Sequence, residues 1–426
     1  MSDRRIKVFL IVFSIVVVAM FLIIVFLCMD ESRPDDSFLR LERLAVPDSE
    51  NAFVCLQAAA GAIYRPDDSR DTVERLLDGD TWDDAVARDF VDRNAKALAA
   101  LDKALQCRHF QVPAITGADT LLPYIDDWNK LSGICRVRAS MLSHAGKQEE
   151  AFGALLQLVE FGHRVQGCGG ALIHYSVGSR MKEKALAAIR KMLPETSLSA
   201  DDLKDCAQRL GRFRANGEGL AGSFKVEYAV IANEIRMFRS SMRREYMEQA
   251  YKVSLPTSPY HLQPNRTGLA IAGLCMAAIA EIPKPYSEQT LPQLPNMAAG
   301  LAGVSPVKRY TMRNFTGTLL WNACCYDFKQ MLLKTCNENV AVDATRVLVA
   351  LKGFKAETGA LPKSLDELVP EYFDKVPADP FDGKPFRYLP EKKIIYAVGY
   401  DLKDDGGAEA KEGEGEARDR VFKIEF

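Results

Sequence analysis

The chain has 426 residues, 48% of them apolar and 26% charged. That ordinary globular composition excludes wholesale disorder and leaves room for two or three domains at about 150 residues each. Fifty-five Lys and Arg face 57 Asp and Glu, a formal net charge of -2, which excludes a protein built to neutralise a polyanion, so no nucleic-acid partner is expected.

The first predicted element crosses a membrane. Val8 to Met29 is apolar apart from Ser14 and Cys28. At about 1.5 Å per residue the run reaches roughly 33 Å, enough for a hydrocarbon core about 30 Å thick. A cleaved signal has an apolar centre of about 7–15 residues followed by small residues, and Phe26, Leu27, Cys28 and Met29 offer no small pair. Leu27 also stands where a lipoprotein acceptor at Cys28 needs a small residue before it. Arg4, Arg5 and Lys7 precede the run, and Asp30, Glu31, Asp35 and Asp36 follow it. By the positive-inside rule, residues 1–7 are cytoplasmic, 8–29 form a single-pass anchor in the inner (cytoplasmic) membrane, and the bulk is extracytoplasmic. Nine of the ten cysteines then lie where disulfides are permitted. They contain no CxxC and no zinc-ligand spacing, and read as buried small hydrophobes or as one or two bridges.

Residues 30–253 read as an α-helical body, because apolar residues recur at three and four; Ala95 to Leu105 is nearly all strong helix formers. Two segments, 150–159 and 184–193, align at an offset of 34, placing Ala151 on Ala185 and Leu155 on Ile189. Thirty-four is the tetratricopeptide period. Trp128, Leu131, Ala139, Gly146 and Ala151 resemble one helix-turn-helix unit of that family, while the second unit has Arg180 where the turn glycine belongs. The alternative is chance likeness between two amphipathic helices. Either way, helix pairs form a binding scaffold more often than a catalyst.

Residues 254–306 hold eight prolines and read as a linker or loop region. Within it, 269–280 is apolar but too short to span a membrane and is expected as a buried helix. Residues 307–426 comprise a helix and a C-terminal domain. Ala341 to Glu357 carries one apolar stripe, with Gly359 as its stop. Ser364 and Glu367 have capping-box spacing. Residues 379–385 are turn chemistry, 386–388 and 394–398 a hairpin, and 421–426 a third strand. The fold class is therefore mainly α, with a membrane helix, an array of helical hairpins and a small C-terminal α+β domain on a three-stranded antiparallel sheet.

That C-terminal region resembles the globular domain of the major pseudopilin of type II secretion systems. The likeness lies in residues 354–362, 377–388 and 396–401, followed by an acidic, glycine-containing loop. The resemblance implies a calcium ion in that loop, with Asp401 and Asp419 at the matching carboxylate positions. The Val398 carbonyl and the carboxylates of Asp404 and Asp405 are further oxygen donors of the kind a hard cation takes. A solvated acidic loop without an ion is the other reading. Leu402 replaces a usual glycine, and the loop is lengthened by an Ala/Glu/Gly run. The N-terminal run has no preceding glycine and no glutamate within it, so prepilin processing and filament assembly are not expected.

The five histidines are scattered, and no HExxH, GxSxG, Walker A or GxGxxG segment occurs. Cys168, inside Gly167–Gly170 with His163 and His174 in range along the chain, is a possible nucleophile, but a glycine turn explains the same residues. Asp83, Asp84, Asp126 and Asp127 suit helix starts better than acid–base chemistry. Two functions follow as expectations: a membrane-anchored scaffold binding envelope or secretion-system proteins, or an extracytoplasmic hydrolase with its site in the Pro-rich middle.

Overall fold

The computed structural model describes the chain except residues 1–2, 34, 65–68, 79–81, 118–119, 239–243, 246–247, 250–253, 292–304 and 409–418. It is mainly helical, with one apolar N-terminal helix and a small sheet near the C-terminus. Helix α1 is Asp3–Cys28. Its stretch Ile6–Cys28 is long and apolar enough to cross a membrane, and the most apolar window in it is 0% buried against the rest of the described chain.

The body follows as α2 (Ala52–Ala62), α3 (Ser69–Asp78), α4 (Asp84–Arg93), α5 (Ala95–Gln106), α6 (Tyr124–His144), α7 (Gln148–Gln166), α8 (Leu172–Met192), α9 (Ala200–Gly211) and α10 (Gly217–Met237). Asp83 caps α4 by accepting from the amides of Ala85 and Val86, and Ser199 with Asp202 forms a capping box on α9. Both satisfy donors that a helix start leaves open. Helices α7 and α8 make the most extensive helix–helix contact. They run antiparallel, and two glycines let their backbones touch: a Cβ on Gly178 would stand 2.4 Å from the Gly162 carbonyl oxygen, and one on Gly162 would stand 2.6 Å from the Gly178 oxygen.

Ala151 and Ala185 thus lie on consecutive helices of one antiparallel pair. A tetratricopeptide period would put them on the same helix of successive pairs, so at this offset the two segments are consecutive amphipathic helices and not equivalent helices of two units. Gly146 does make the α6–α7 turn, at φ 76°, whereas Arg180 lies in mid-helix.

The Pro-rich middle holds a packed helix, α11 (Pro264–Glu281), with Pro264 at its first turn, where a missing N–H costs nothing. Its buried face includes Ile271, Leu274, Cys275 and Ala278, while Leu269 (54%) and Met276 (49%) are exposed; the expected buried helix is buried on one side only. After α12 (Pro306–Thr311) comes α13 (Phe315–Thr358), a single 44-residue helix and therefore roughly 66 Å long. Its first half, with α10 and α11, builds one hydrophobic core around Phe224, Phe238 and Phe328. Its second half joins α2–α9 and the C-terminal strands in another, around Trp128, Phe161 and Phe381. Gly359 ends it in the left-handed region at φ 80°, its N–H donating to the Lys355 carbonyl, as an αL stop requires.

The sheet is antiparallel in the order β1 (Arg387–Leu389), β2 (Ile394–Ala397), β3 (Arg420–Lys423). Arg387 faces Tyr396 and Ile395 faces Phe422, and all four residues of β2 are buried. The capping box of Ser364 and Glu367 is present on a one-turn 3-10 helix, Leu365–Leu368.

At the other end, α1 is tied directly to the body. The Gln263 side-chain amide donates to the carbonyls of Leu27 and Met29, each at 3.1 Å. Arg313 donates to Met29 at 2.8 Å and lies over the Phe26 ring. In return the Asp30 carboxylate accepts from the amides of Asn265 (2.8 Å) and Arg266 (3.0 Å), and Glu31 pairs with Arg266 at 2.7 Å. Each helix end satisfies the open backbone groups of the other.

Candidate functional site: a cationic cleft on the helical body

Helices α6 and α8 flank α7 and leave a groove between them. Helix α3 seats over it, with Val73 set against Gly133, where an added Cβ would meet Val73 Cγ1 at 3.3 Å. On either side of α3 opens a cleft, one of about 580 Å³ and one of about 570 Å³. Arg136 of α6 and Lys184 of α8 line both. Arg180 and Lys130 add cations to the first cleft and Lys191 to the second. Arg180, Lys184 and Lys191 recur along one exposed face of α8, as residues about a turn or two apart must. Carboxylates are fewer: Glu74 and Asp126 in the first cleft, Glu195 in the second, and Asp126 is paired with Lys130 at 2.5 Å. Val73, Leu76, Leu77, Trp82 and Met192 supply apolar wall, and Trp82 stacks on His144 with ring centroids 4.5 Å apart. The arrangement can hold carboxylates or other anionic groups beside apolar ones.

Behind the groove a polar cluster locks α7, α8 and α13 together. Lys182 and Glu338 form a buried ion pair, their side chains 0% and 4% exposed. Glu338 also accepts from the Gln166 amide at 2.8 Å and the Ser179 hydroxyl at 2.6 Å. Burial pulls the Lys182 pKa down against the attraction of Glu338. His163 sits beside this pair, lowered to about 4 by burial and by the Lys182 charge.

The Cys168 reading resolves as a turn. Gly169 has φ 70°, Cys168 is 1% exposed, and burial pushes its thiol up to about 12, which keeps it protonated and unreactive. His174 is fully buried, shares a 2.9 Å hydrogen bond between Nε2 and the Tyr124 hydroxyl, and is lowered to about 4 by burial. Asp126 and Asp127 lie in the first turn of α6.

In the C-terminal loop, Asp401 accepts from the Lys403 amide at 3.2 Å. Asp404 accepts from the Tyr396 hydroxyl (3.1 Å), the Gly406 amide (3.0 Å) and Arg387 Nε (3.3 Å); it is lowered first by the Gly406 amide. Asp419 accepts from the Gly407 amide at 2.8 Å, while its Oδ1 is buried without a hydrogen-bond partner. Burial raises its pKa, the amides of Gly407 and Asp405 oppose that, and the negative charge of Asp404 and Asp405 adds to it. The loop therefore brings Asp404, Asp405 and Asp419 into electrostatic range, whereas Asp401 engages its own turn; the Val398 amide donates to Asp379 at 2.8 Å, a bond that does not involve its carbonyl. Among the described residues, no group of three or more His, Cys, Asp or Glu is placed to hold a metal ion. Much of the loop, residues 409–418, lies outside the described residues.

A second carboxylate cluster was hidden in the turn chemistry of 379–385. Arg387 pairs with Asp379 (2.6 Å), Asp382 (2.5 Å) and Asp404 (3.3 Å). Asp379 is fully buried and also accepts from the Phe381 amide at 2.8 Å; burial nonetheless raises it to about 6. It borders a cavity of about 190 Å³ shared with Arg214, Lys284 and Cys336.

Compared with known proteins, the chain matches no protein family, no curated protein and no solved structure.

Proposed function

We propose that this chain is a single-pass scaffold of the inner membrane, its N-terminus cytoplasmic and its body extracytoplasmic, that binds a partner protein through an acidic segment laid in the α6–α8 cleft. The observation that carries this reading is the pair Arg136 and Lys184, shared by both clefts and continued by Arg180 and Lys191 along one flank of α8. Apolar side chains opposite that flank suit a partner segment with one acidic and one apolar side. Envelope or secretion-system proteins are the partner class, with type II secretion first, on the strength of the C-terminal likeness to pseudopilins. In the same reading the loop from Asp401 to Asp419 is a calcium loop, supported by the buried Asp419 carboxylate lying in the field of Asp404 and Asp405.

The test is cross-linking in intact cells, followed by capture of the full chain from detergent-solubilised membranes. An envelope protein should be recovered with the native chain and lost with Arg180→Glu, Lys184→Glu. Equal recovery by the charge-reversed chain would move the interface elsewhere, and the absence of any envelope partner would remove the scaffold reading.

An extracytoplasmic hydrolase is the second reading, favoured by the cavity beside Asp379, where the middle region, the helical body and a carboxyl raised to about 6 come together. Against it, Asp379 is engaged by two amides and Arg387, and burial pushes the Cys336 thiol in the cavity wall up to about 12. Hydrolysis of model esters or glycosides abolished by Asp379→Asn, with folding intact, would restore it.

A further inference from the structure

The body carries exposed apolar residues at the very place where α1 ends. Val307 is 71% exposed, Tyr310 61% and Leu269 54%. Leu269 lies one turn into α11 from Arg266, whose amide binds Asp30. Tyr310 lies three residues before Arg313, which binds the Met29 carbonyl. The segment is firmly held. The Tyr310 carbonyl meets His261 Nε2 at 2.9 Å, the Asn314 amide donates to the Tyr260 carbonyl at 2.8 Å, and Asn314 Oδ1 accepts from the Gln263 amide at 2.9 Å. Gln263 in turn binds Leu27 and Met29.

If α1 spans, its last carbonyls lie at headgroup level, because Ile6–Cys28 at about 1.5 Å per residue reaches a little beyond a ~30 Å hydrocarbon core. Side chains hydrogen-bonded to those carbonyls share that level. Consecutive Cα atoms are about 3.8 Å apart, so Tyr310 is no more than roughly 11 Å from Arg313 and falls in or beside the headgroup layer. Exposed Tyr310 with Val307 one turn before it on α12, and exposed Leu269 one turn into α11, together with Arg266 and Arg313, are the residue types of an interfacial belt.

We infer that Leu269, Val307 and Tyr310 form a collar that inserts into the outer headgroup layer of the bilayer crossed by α1, so that the body lies on the membrane as well as being tethered to it. The inference rests on the reading of α1 as a span. The occupant is lipid, because the surface is continuous with the end of the span and is held by the residues that cap it.

The test uses the full chain in phosphatidylcholine vesicles, with and without lipids brominated in the upper acyl chain. Tyr310→Trp and, separately, Val307→Trp report position, read as emission in excess of the parent protein. An element buried at the headgroup–acyl boundary, about 5–10 Å deep, loses roughly half of the added emission to brominated lipid and is shielded from aqueous acrylamide. Added tryptophans at both positions that acrylamide quenches freely and brominated lipid leaves unchanged, in protein that floats with vesicles, would overturn the collar and leave the span. Failure of the chain to float with vesicles would overturn the span reading itself, and the collar with it.

Discussion

Lys182 of α8 and Glu338 of α13 are ion-paired where neither side chain is more than 4% exposed, and Gln166 of α7 and Ser179 join them on the same carboxylate. Three helices thus share one buried charge pair. Its desolvation makes it a poor source of net stability, but removing one partner strands the other. Glu338→Gln and Lys182→Met should each destabilise by about 3–5 kcal/mol, and the double variant by less than their sum, with a coupling of roughly 2 kcal/mol. Urea unfolding of the four proteins in detergent measures this; strict additivity would mean the pair does not act as a unit.

The α7–α8 contact depends on backbone touching backbone. Gly178→Ala would drive a methyl to 2.4 Å from the Gly162 oxygen, and rigid helix backbones must separate to admit it. A loss of about 2–4 kcal/mol is expected. By contrast Gly153 of α7, with open space around its Cβ position, should gain up to about 1 kcal/mol on substitution by Ala. Thermal unfolding of the two variants side by side should move in opposite directions.

Acid should destabilise the fold through its buried histidines. His174 ionises at about 4 in the folded chain, against an ordinary value of 6.5, because burial disfavours the cation. The unfolded chain therefore takes up this proton first, and the stability present above pH 6.5 is lost as pH falls toward 4, on the order of 3 kcal/mol for this one group. His163 acts in the same sense. Asp379 acts in the opposite one: raised to about 6 by burial, its contribution is present at low pH and lost as pH rises through 6, so it offsets about one histidine. Unfolding midpoints at pH 7, 5.5 and 4 should fall, and less steeply in His174→Phe.

Cys55 on α2 and Cys107 just after α5 have sulfurs 3.7 Å apart, the closest approach of two thiols given by the described residues. In an oxidising compartment they should join. With glutathione disulfide as oxidant, the two thiols release two protons and two electrons, one S–S bond forms, and two glutathione thiols leave. Non-reducing peptide mapping of protein taken from membranes should give a 55–107 linked pair, while buried Cys135, Cys168, Cys206 and Cys275, each held at about 12 by burial, stay reduced. A free pair in vivo would argue against the proposed extracytoplasmic placement of the body.

Local signals were the readable ones. The apolar run of α1, the αL stop at Gly359, the capping box at Ser364 and the strand hairpin each sit within a few residues and have one cause. Helix α13 shows a legible stripe only from Ala341 on, because it is buried on several sides by two cores and so carries no single stripe over its length. Pro264 looked like punctuation, and the structure uses it as the first turn of α11. Nothing local announces that Asp30 caps Asn265, or that Arg136 and Lys184 face one groove; those relationships exist only once distant helices pack. The Asp379–Arg387 pairing has only a faint local signal, turn residues followed by an arginine on a short strand.

Helix α13 begins two residues after Arg313, the contact to the end of α1, and runs unbroken to the strand-bearing end. On the proposed reading of α1 as a membrane span, it works as a lever arm. A tilt of about 5° at the membrane swings a rod of roughly 66 Å through ~6 Å at its tip. On that reading, lipid packing around α1 and the aim of the distal sheet are mechanically one variable, transmitted by one continuous helix.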